Sequence, residues 1–315
     1  MLAPLYIIHL DSEVEMFIMV CNSFMKLVTC VHEGETFVGR VSADSVQMLV
    51  RQAAPAHAML DVIAGGPARW LALAQMQPIS SAPLAAVELL APIPRPAKNI
   101  MCLGKNYLEH AREVYAAQGK ELQIPAHTAV FTKAPTTANG PHAPIPFDAA
   151  VSSQLDWEVE LAVVIGIGGK NIAREAALRH VFGYMVLNDV SARDIQYRHQ
   201  QFFMGKSLDG SCPMGPWIVT SDELPDAHNL RLRCWVNGVL KQDSNTAQLM
   251  LDVAGAIAVL SHGRTLEPGD IIATGTPEGV GFARQPPEFL AAGDVVECEV
   301  ERIGRLRNTV VAVGA

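Results

Sequence analysis

Residues 155–166 read L-D-W-E-V-E-L-A-V-V-I-G, and this stretch constrains the fold more than any other. It is apolar and rich in valine, yet it carries Glu158 and Glu160 two residues apart. Side chains alternate across a strand with period two, so both carboxylates point to one face while Val159, Leu161 and Val163 point to the other. Two like charges on one strand face repel. Such a strand is either a solvated edge bearing two acids or a buried strand whose acids share a cation.

The remainder of the chain surrounds this strand with β-rich sequence. Its 315 residues are 50% hydrophobic, enough for a large core in one large or two unequal domains. The formal net charge is −8 and no basic stripe occurs, which argues against nucleic acid as a partner. No apolar run is long enough for a transmembrane helix, so no membrane association is expected. Six cysteines are scattered singly without metal spacing and read as buried free thiols of a reducing, cytoplasmic compartment. Residues 1–24 interleave apolar runs with Asp11, Glu13 and Glu15 and lack a positive n-region. They are not expected to be a secretory signal and are treated as an extension with no inferred function.

From Met25 the pattern becomes regular. Residues 26–32 and 36–41 predict a hairpin around Glu33-Gly34-Glu35. Residues 42–54, 57–64 and 67–75 predict three helices, the first with Ser42 or Asp44 as its N-cap. The alternating prolines Pro92, Pro94 and Pro96 predict a stiff extended linker. The expected organisation is therefore a small α/β domain at 25–95 and a second domain at 96–315. In the second, strands are expected at 98–103, 128–133, 184–188, 217–220, 230–236, 271–274, 295–300 and 308–313, with helices at 108–118, 175–181 and 246–260. That ratio predicts an α+β fold built on a rolled or barrel-like mixed sheet.

Three elements carry candidate chemistry. Asp189, in N-D-V-S-A-R-D at a strand end, would join Glu158 and Glu160 as a third hard oxygen donor. Such a set selects Mg²⁺, Mn²⁺ or Ca²⁺ over zinc or copper, and leaves positions open for a 2-oxo acid. Lys206, in M-G-K-S-L-D, is a candidate for offsetting the excess negative charge, or an ordinary surface lysine. His110 and Glu113 are spaced i, i+3 and share a helix face. The pair is either a general base oriented by a carboxylate or a surface ion pair. The glycine-rich T-G-T-P-E-G-V-G at 274–281 is a carboxylate-binding loop or a plain turn, and it lacks the ending of a P-loop.

Six motifs occur in order: G-K-N-Y-x-x-H-x-x-E, F-x-K-x-P, D-W-E-V-E-L, N-D-V-S-A-R-D, G-K-S-L-D-G-x-C-P-M-G-P-W and T-G-T-P-E-G-V-G. Together they resemble the fumarylacetoacetate hydrolase family over roughly residues 93–313. The resemblance implies a mixed β-roll catalytic domain, usually in a homodimer, with a Mg²⁺ or Mn²⁺ site at Glu158, Glu160 and Asp189. It implies a water-activating dyad of His110 and Glu113 on a segment that can close as a lid, and an active-site lysine at Lys206. Substrate contacts are implied for Gln201 and Thr276, and are expected also at Tyr107, Lys133 and Gly275 in the same motifs. One departure matters: no Asp or Glu occurs between Pro92 and Leu108, where the eukaryotic-type branch carries a further metal-site aspartate. The smaller bacterial-type branch is therefore expected.

The resulting expectation is a metal-dependent hydrolase that cleaves the C–C bond of a 2,4-diketo acid through a pyruvate enolate. The same enolate chemistry without water attack gives two alternatives: an isomerase of hydroxymuconate or heptadienedioate type, or an oxaloacetate decarboxylase. A non-catalytic binder of small acids is the third reading.

Overall fold

The computed structural model describes residues 25–53, 56–124 and 126–314. The expectation for residues 1–24 therefore lies outside the described residues. The Glu-x-Glu segment is not an edge. The strand Val159–Ile165 lies at the middle of a 12-stranded sheet, between antiparallel neighbours Val181–Asn188 and Ile271–Ala273. All seven of its residues are buried. Val159, Leu161, Val163 and Ile165 feed one hydrophobic cluster, and Ala162 and Val164 feed another on the opposite face. Being covered on both faces explains why this strand reads as a nearly continuous apolar run.

The sheet continues from Val181–Asn188 to Cys212–Thr220 and then to the N-terminal strands Lys26–His32, Glu35–Ser42, Ser45–Gln52 and Ser80–Pro83. On the other side Ile271–Ala273 is followed by Ile100–Gly104, in parallel, and by Ala129–Lys133. A second sheet of five strands stacks Val239–Asn245, Arg231–Val236, Val295–Val300, Gly304–Ala312 and Ile145–Phe147. The fold is α+β with mixed sheets, as expected, but among the described residues the sheets remain open and form no closed barrel. The pairing of Lys26–His32 with Cys212–Thr220 carries one sheet across the proline-rich segment 91–96.

Two predicted helices are corrected. Residues 42–54 do not form a helix: Ser45–Gln52 is a strand paired with Glu35–Ser42. Ala43 and Asp44 form the tight turn, with Ala43 at φ +51°, and Ser45 Oγ donates to the Ser42 carbonyl at 2.9 Å. The period-two set Val46, Met48 and Val50 therefore governs, and the polar residues belong to a hairpin turn instead of a helix cap. The span 246–260 is not one helix. A short 3₁₀ turn, Thr246–Gln248, is followed by an α-helix only at Val253–Ser261, where Asp252 accepts from Gly255 N–H at 2.8 Å. An N-cap aspartate starts a helix and cannot lie inside one. The strand Val239–Asn245 was not anticipated, because its buried position is the polar Gln242 while Val239 and Leu240 are exposed.

The five described cysteines, Cys30, Cys102, Cys212, Cys234 and Cys298, are free and buried. Burial pushes the Cys30 thiol up to about 11 and the Cys212 thiol up to about 12, so both are inert as nucleophiles. Among the described residues no helix is long and apolar enough to cross a membrane.

Candidate active site

Strand register brings the acids together. Val159 pairs with Asn188, so the next positions outward set Glu158 beside Asp189, and Asp189 N–H donates to the Glu158 carbonyl at 2.9 Å. On the other flank Ala162 pairs with Ala273, which places Gly275 beside Glu160; Gly275 N–H donates to Glu160 Oε2 at 2.7 Å. Glu158, Glu160 and Asp189 each offer an oxygen within 4.8 Å of the others. Glu158 is 4% exposed, Glu160 1% and Asp189 0%.

Carboxylates buried this deeply demand compensation. Lys206 Nζ lies 2.7 Å from both Glu158 Oε2 and Asp189 Oδ2. Arg193 Nη2 lies 2.7 Å from Glu158 Oε1, and Lys133 Nζ 2.8 Å from Asp189 Oδ1. Burial alone would push the Glu158 carboxyl up, but Lys206, Arg193 and His110 outweigh it and hold it at about 2. Burial likewise opposes the Lys206 ammonium, yet Asp189 and Glu158 keep its pKa above that of an ordinary lysine.

Glu160 is different, because among the described residues no cation lies within ion-pair distance of it. Burial, reinforced by Asp189 and Glu158, pushes its carboxyl well above the usual range. This buried acid without a cation, sharing its oxygens' space with two others, fits a divalent metal ion of the hard-oxygen class.

Two acids of the trio open on a cavity of about 230 Å³ whose walls include Glu158, Glu160, Arg193, Lys206, His110, Thr276 and Lys105. His110 and Glu113 lie on the helix Leu108–Ala117, which begins at the same end of the sheet because the strand Ile100–Gly104 ends there. His110 Nδ1 is 2.8 Å from Glu113 Oε1, so an ionised Glu113 fixes the proton on Nδ1 and leaves the Nε2 lone pair free. Glu113 Oε2 in turn accepts from Gly279 N–H at 2.8 Å.

The glycine-rich loop thus orients both centres through its backbone. Gly275 (φ +101°) holds the metal-site acid, and Gly279 (φ +100°) holds the acid of the dyad. A side chain at Gly275 would collide with Asn106 Cβ and the Leu103 carbonyl, and one at Gly279 with the Lys241 carbonyl. Both positions therefore require glycine.

The residue set is that of a known family. The family model described as Fumarylacetoacetate (FAA) hydrolase C-terminal matches residues 99–311. The chain belongs to the fumarylacetoacetate hydrolase family. Curated relatives within reach include an oxaloacetate tautomerase of Bacillus subtilis, 48% identical over 72% of this chain and 74% of that protein. The mitochondrial oxaloacetate tautomerase FAHD2A of Homo sapiens is 43% identical over 76% and 74%. Among solved structures, a fumarylacetoacetate hydrolase from Exiguobacterium antarcticum superposes with TM-score 0.77 at 40% identity, covering 92% of this chain and all of that one. A 5-carboxymethyl-2-hydroxymuconate delta-isomerase from Mycobacterium smegmatis gives TM-score 0.73 at 32% identity with the same coverage.

Against this family frame, the sequence-predicted residues divide. Glu158, Glu160, His110, Lys206 and Thr276 line the cavity, whereas Asp189 and Glu113 do not and act on it through Lys206 and His110. The Thr276 hydroxyl, however, donates to the Val159 carbonyl at 2.9 Å and accepts from Gln242 Nε2 at 2.8 Å, so it braces the strand and has no proton left for a ligand. Gly275 acts on Glu160, and Lys133 is fully buried behind Asp189, bonded also to the Val190 carbonyl at 3.1 Å. Tyr107 is buried. Burial, with Glu160 next to it, raises its phenol above the usual value. None of these three lines the cavity, and the structure gives them supporting positions.

Gln201 is corrected outright. It is exposed and does not line the cavity, whereas Gln196, on the helix Arg193–Arg198, is buried and lines it. Gln196 Oε1 accepts from Arg193 Nη1 at 3.0 Å.

Three further residues went unnoticed. Arg193 spans Glu158 and Asp156, with Nε 2.9 Å from Asp156 Oδ2. Asp156 also accepts from Gly281 and Phe282 N–H at 2.7 and 3.0 Å, tying the loop to the metal strand. Both residues stood in the quoted motifs, and Asp156 shares the period-two face of Glu158 and Glu160. Gln242 lies on the unanticipated strand. Its Oε1 accepts from Val159 N–H at 3.0 Å, and its Nε2 donates to Thr276 Oγ1 and to the Pro277 carbonyl. Gln242→Ala is expected to destabilise the protein by about 1–3 kcal/mol, because it strands buried polar groups. Urea unfolding would show a lower midpoint at constant slope; an unchanged midpoint would remove Gln242 as a brace.

A second expectation concerns protons. Glu160 holds its proton to higher pH than an ordinary glutamate, so a cation entering the trio competes with that proton. Metal affinity should therefore weaken as pH falls, starting above the ordinary glutamate range, with proton release on binding. Titration calorimetry in buffers of different ionisation enthalpy measures this. Affinity independent of pH and no proton release would contradict the protonated state assigned to Glu160.

Proposed function

We propose that the protein is a divalent-metal-dependent isomerase that interconverts the keto and enol forms of oxaloacetate or a closely related 2-oxo dicarboxylic acid. The observation that carries this reading is the match to oxaloacetate tautomerases at 43–48% identity across more than two thirds of both chains. The buried trio, two of whose acids line the cavity, and His110 on the same wall with Glu113 behind it support the reading chemically.

Glu158, Glu160 and Asp189 would hold the ion, with Mg²⁺ or Mn²⁺ as the proposed metal. When bound, the ion supplies Lewis acidity toward the keto oxygen. His110 uses its free Nε2 to take a proton from the carbon beside the keto group. The released electron pair becomes the enol double bond, and the former keto oxygen takes the proton from the His110 imidazolium, so that the net change is one proton moved from carbon to oxygen. In the reverse direction the imidazolium returns the carbon proton. Lys206 and Arg193 offset the charge of the buried acids while negative charge develops on that oxygen. Glu113 fixes the imidazole tautomer and stabilises the imidazolium. The resemblance also supports a homodimer as the proposed assembly, with a small keto acid as its ligand.

Cleavage of an acylpyruvate uses the same residues with His110 acting on a water, and a maleylpyruvate hydrolase from Sphingobium has the same fold at TM-score 0.72 and 31% identity. The test sets the substrates side by side. Purified protein with Mg²⁺ should accelerate decay of the enol absorbance of oxaloacetate, with little pyruvate released from oxaloacetate or from acetylpyruvate. A larger kcat/KM for acetylpyruvate cleavage would replace the isomerase by the C–C hydrolase. Rapid pyruvate release from oxaloacetate would replace it by the decarboxylase.

A further inference from the structure

We infer that Lys105 selects the substrate by pairing with a second, distal carboxylate, so that the cavity is built for 2-oxo dicarboxylates and discriminates against 2-oxo monocarboxylates. The inference deepens the proposed isomerase reading and rests on it. Three cationic side chains line the cavity. Lys206 is consumed by Glu158 and Asp189, and Arg193 by Asp156 and Glu158. Lys105 alone has no carboxylate within ion-pair distance among the described residues. Its ammonium instead rests 4.2 Å from the centroid of the Tyr115 ring, a contact that orients the charge without neutralising it.

The backbone holds Lys105 in place at some cost. It adopts φ +56°, in the left-handed region that disfavours a residue with a side chain. The turn is pinned on its next residue. Asn106 Nδ2 donates to the carbonyls of Leu251 and Thr274, both at 2.8 Å, and Asn106 Oδ1 accepts from Leu251 N–H at 2.8 Å. Thr274 adjoins Gly275, whose N–H binds Glu160. The cationic position and the metal-site acid are thus fixed against one another through a single turn.

Much of the rest of the wall is uncharged: Leu103, Val114, Phe131, Phe202 and Phe282 are apolar. A substrate ending in a methyl group would leave Lys105 unanswered, whereas one ending in a carboxylate would complete a charge-assisted pair.

The experiment compares oxaloacetate with 2-oxobutanoate, which has the same chain length and a methyl in place of the distal carboxylate. Binding to the Mg²⁺-loaded protein is measured by calorimetry and turnover by proton exchange at the carbon beside the keto group. Wild type should prefer oxaloacetate by at least about tenfold in Kd and KM, as expected for loss of one charge-assisted contact. In Lys105→Asn, which tolerates the left-handed backbone, and in Lys105→Met, that preference should collapse toward unity. Lys105→Arg should restore it. Oxalate, which has no distal group, should bind all four proteins alike. A preference retained in Lys105→Asn, or oxalate affinity lost in parallel with oxaloacetate affinity, would overturn the assignment. Because binding is read separately from turnover, absence of exchange in wild type would count against the isomerase reading while the Kd ratio still decides the role of Lys105.

Discussion

Glu160→Gln is expected to fold as the wild type does and to lose metal affinity and turnover together. The amide retains the volume and an acceptor for Gly275 N–H, so the loop stays in place. It removes a carboxylate that has no cationic partner within ion-pair distance among the described residues, so no buried ammonium or guanidinium is stranded. Loss of outer hydrogen-bond partners alone weakens metal sites by about 10–100-fold, and loss of a ligand oxygen should exceed that. Competition with a metal indicator dye reads the affinity, and enol decay reads the turnover. Wild-type affinity in this variant would dissolve the trio as a metal site. The corresponding change at Glu158 is a poorer probe, because it would leave Lys206 and Arg193 short of a buried partner.

His110→Ala should behave in the opposite way. Metal affinity should survive, since the imidazole is not part of the trio, while turnover should fall by about 10²–10⁴-fold, the range for a lost general base. Glu113→Gln should retain the Gly279 contact but weaken control of the tautomer, with an intermediate loss. Measuring metal affinity and enol decay on the same preparations separates the two centres. Wild-type turnover in His110→Ala would take the dyad out of the reaction, whatever the metal does.

The two variants rest on features of different legibility. The trio could be read from the chain because a strand's alternation is rigid: two acids at i and i+2 in an apolar segment must share a face. The dyad could be read for the same reason on a helix. Neither pattern reveals burial. Whether Glu158 and Glu160 faced water or a shared cavity depended on the flanking strands Val181–Asn188 and Ile271–Ala273, whose paired residues lie 16–29 and more than 100 positions away.

Side-chain choice among near neighbours was less legible. Gln196 and Gln201 stand five residues apart in one polar stretch, and only the short helix Arg193–Arg198 decides which of them faces inward. Residues 42–54 failed for a related reason. Serine and aspartate serve helix caps and hairpin turns equally well, so local chemistry left open what pairing with the neighbouring strand settled.

The sequence by itself determined the family, the hard-oxygen donor set and the oriented histidine, because each follows from residue type at a fixed local spacing. Only the tertiary structure decided which charges are neutralised. Arg193 meets Asp156 across 37 residues, Lys133 meets Asp189 across 56, and Gln242 clamps both the metal strand and the glycine-rich loop. Among the described acidic, lysine and arginine side chains lining the cavity, Glu160 and Lys105 are the two without an ion-pair partner, for one physical reason: electrostatic compensation acts through space at a few ångströms, and chain order does not encode that distance.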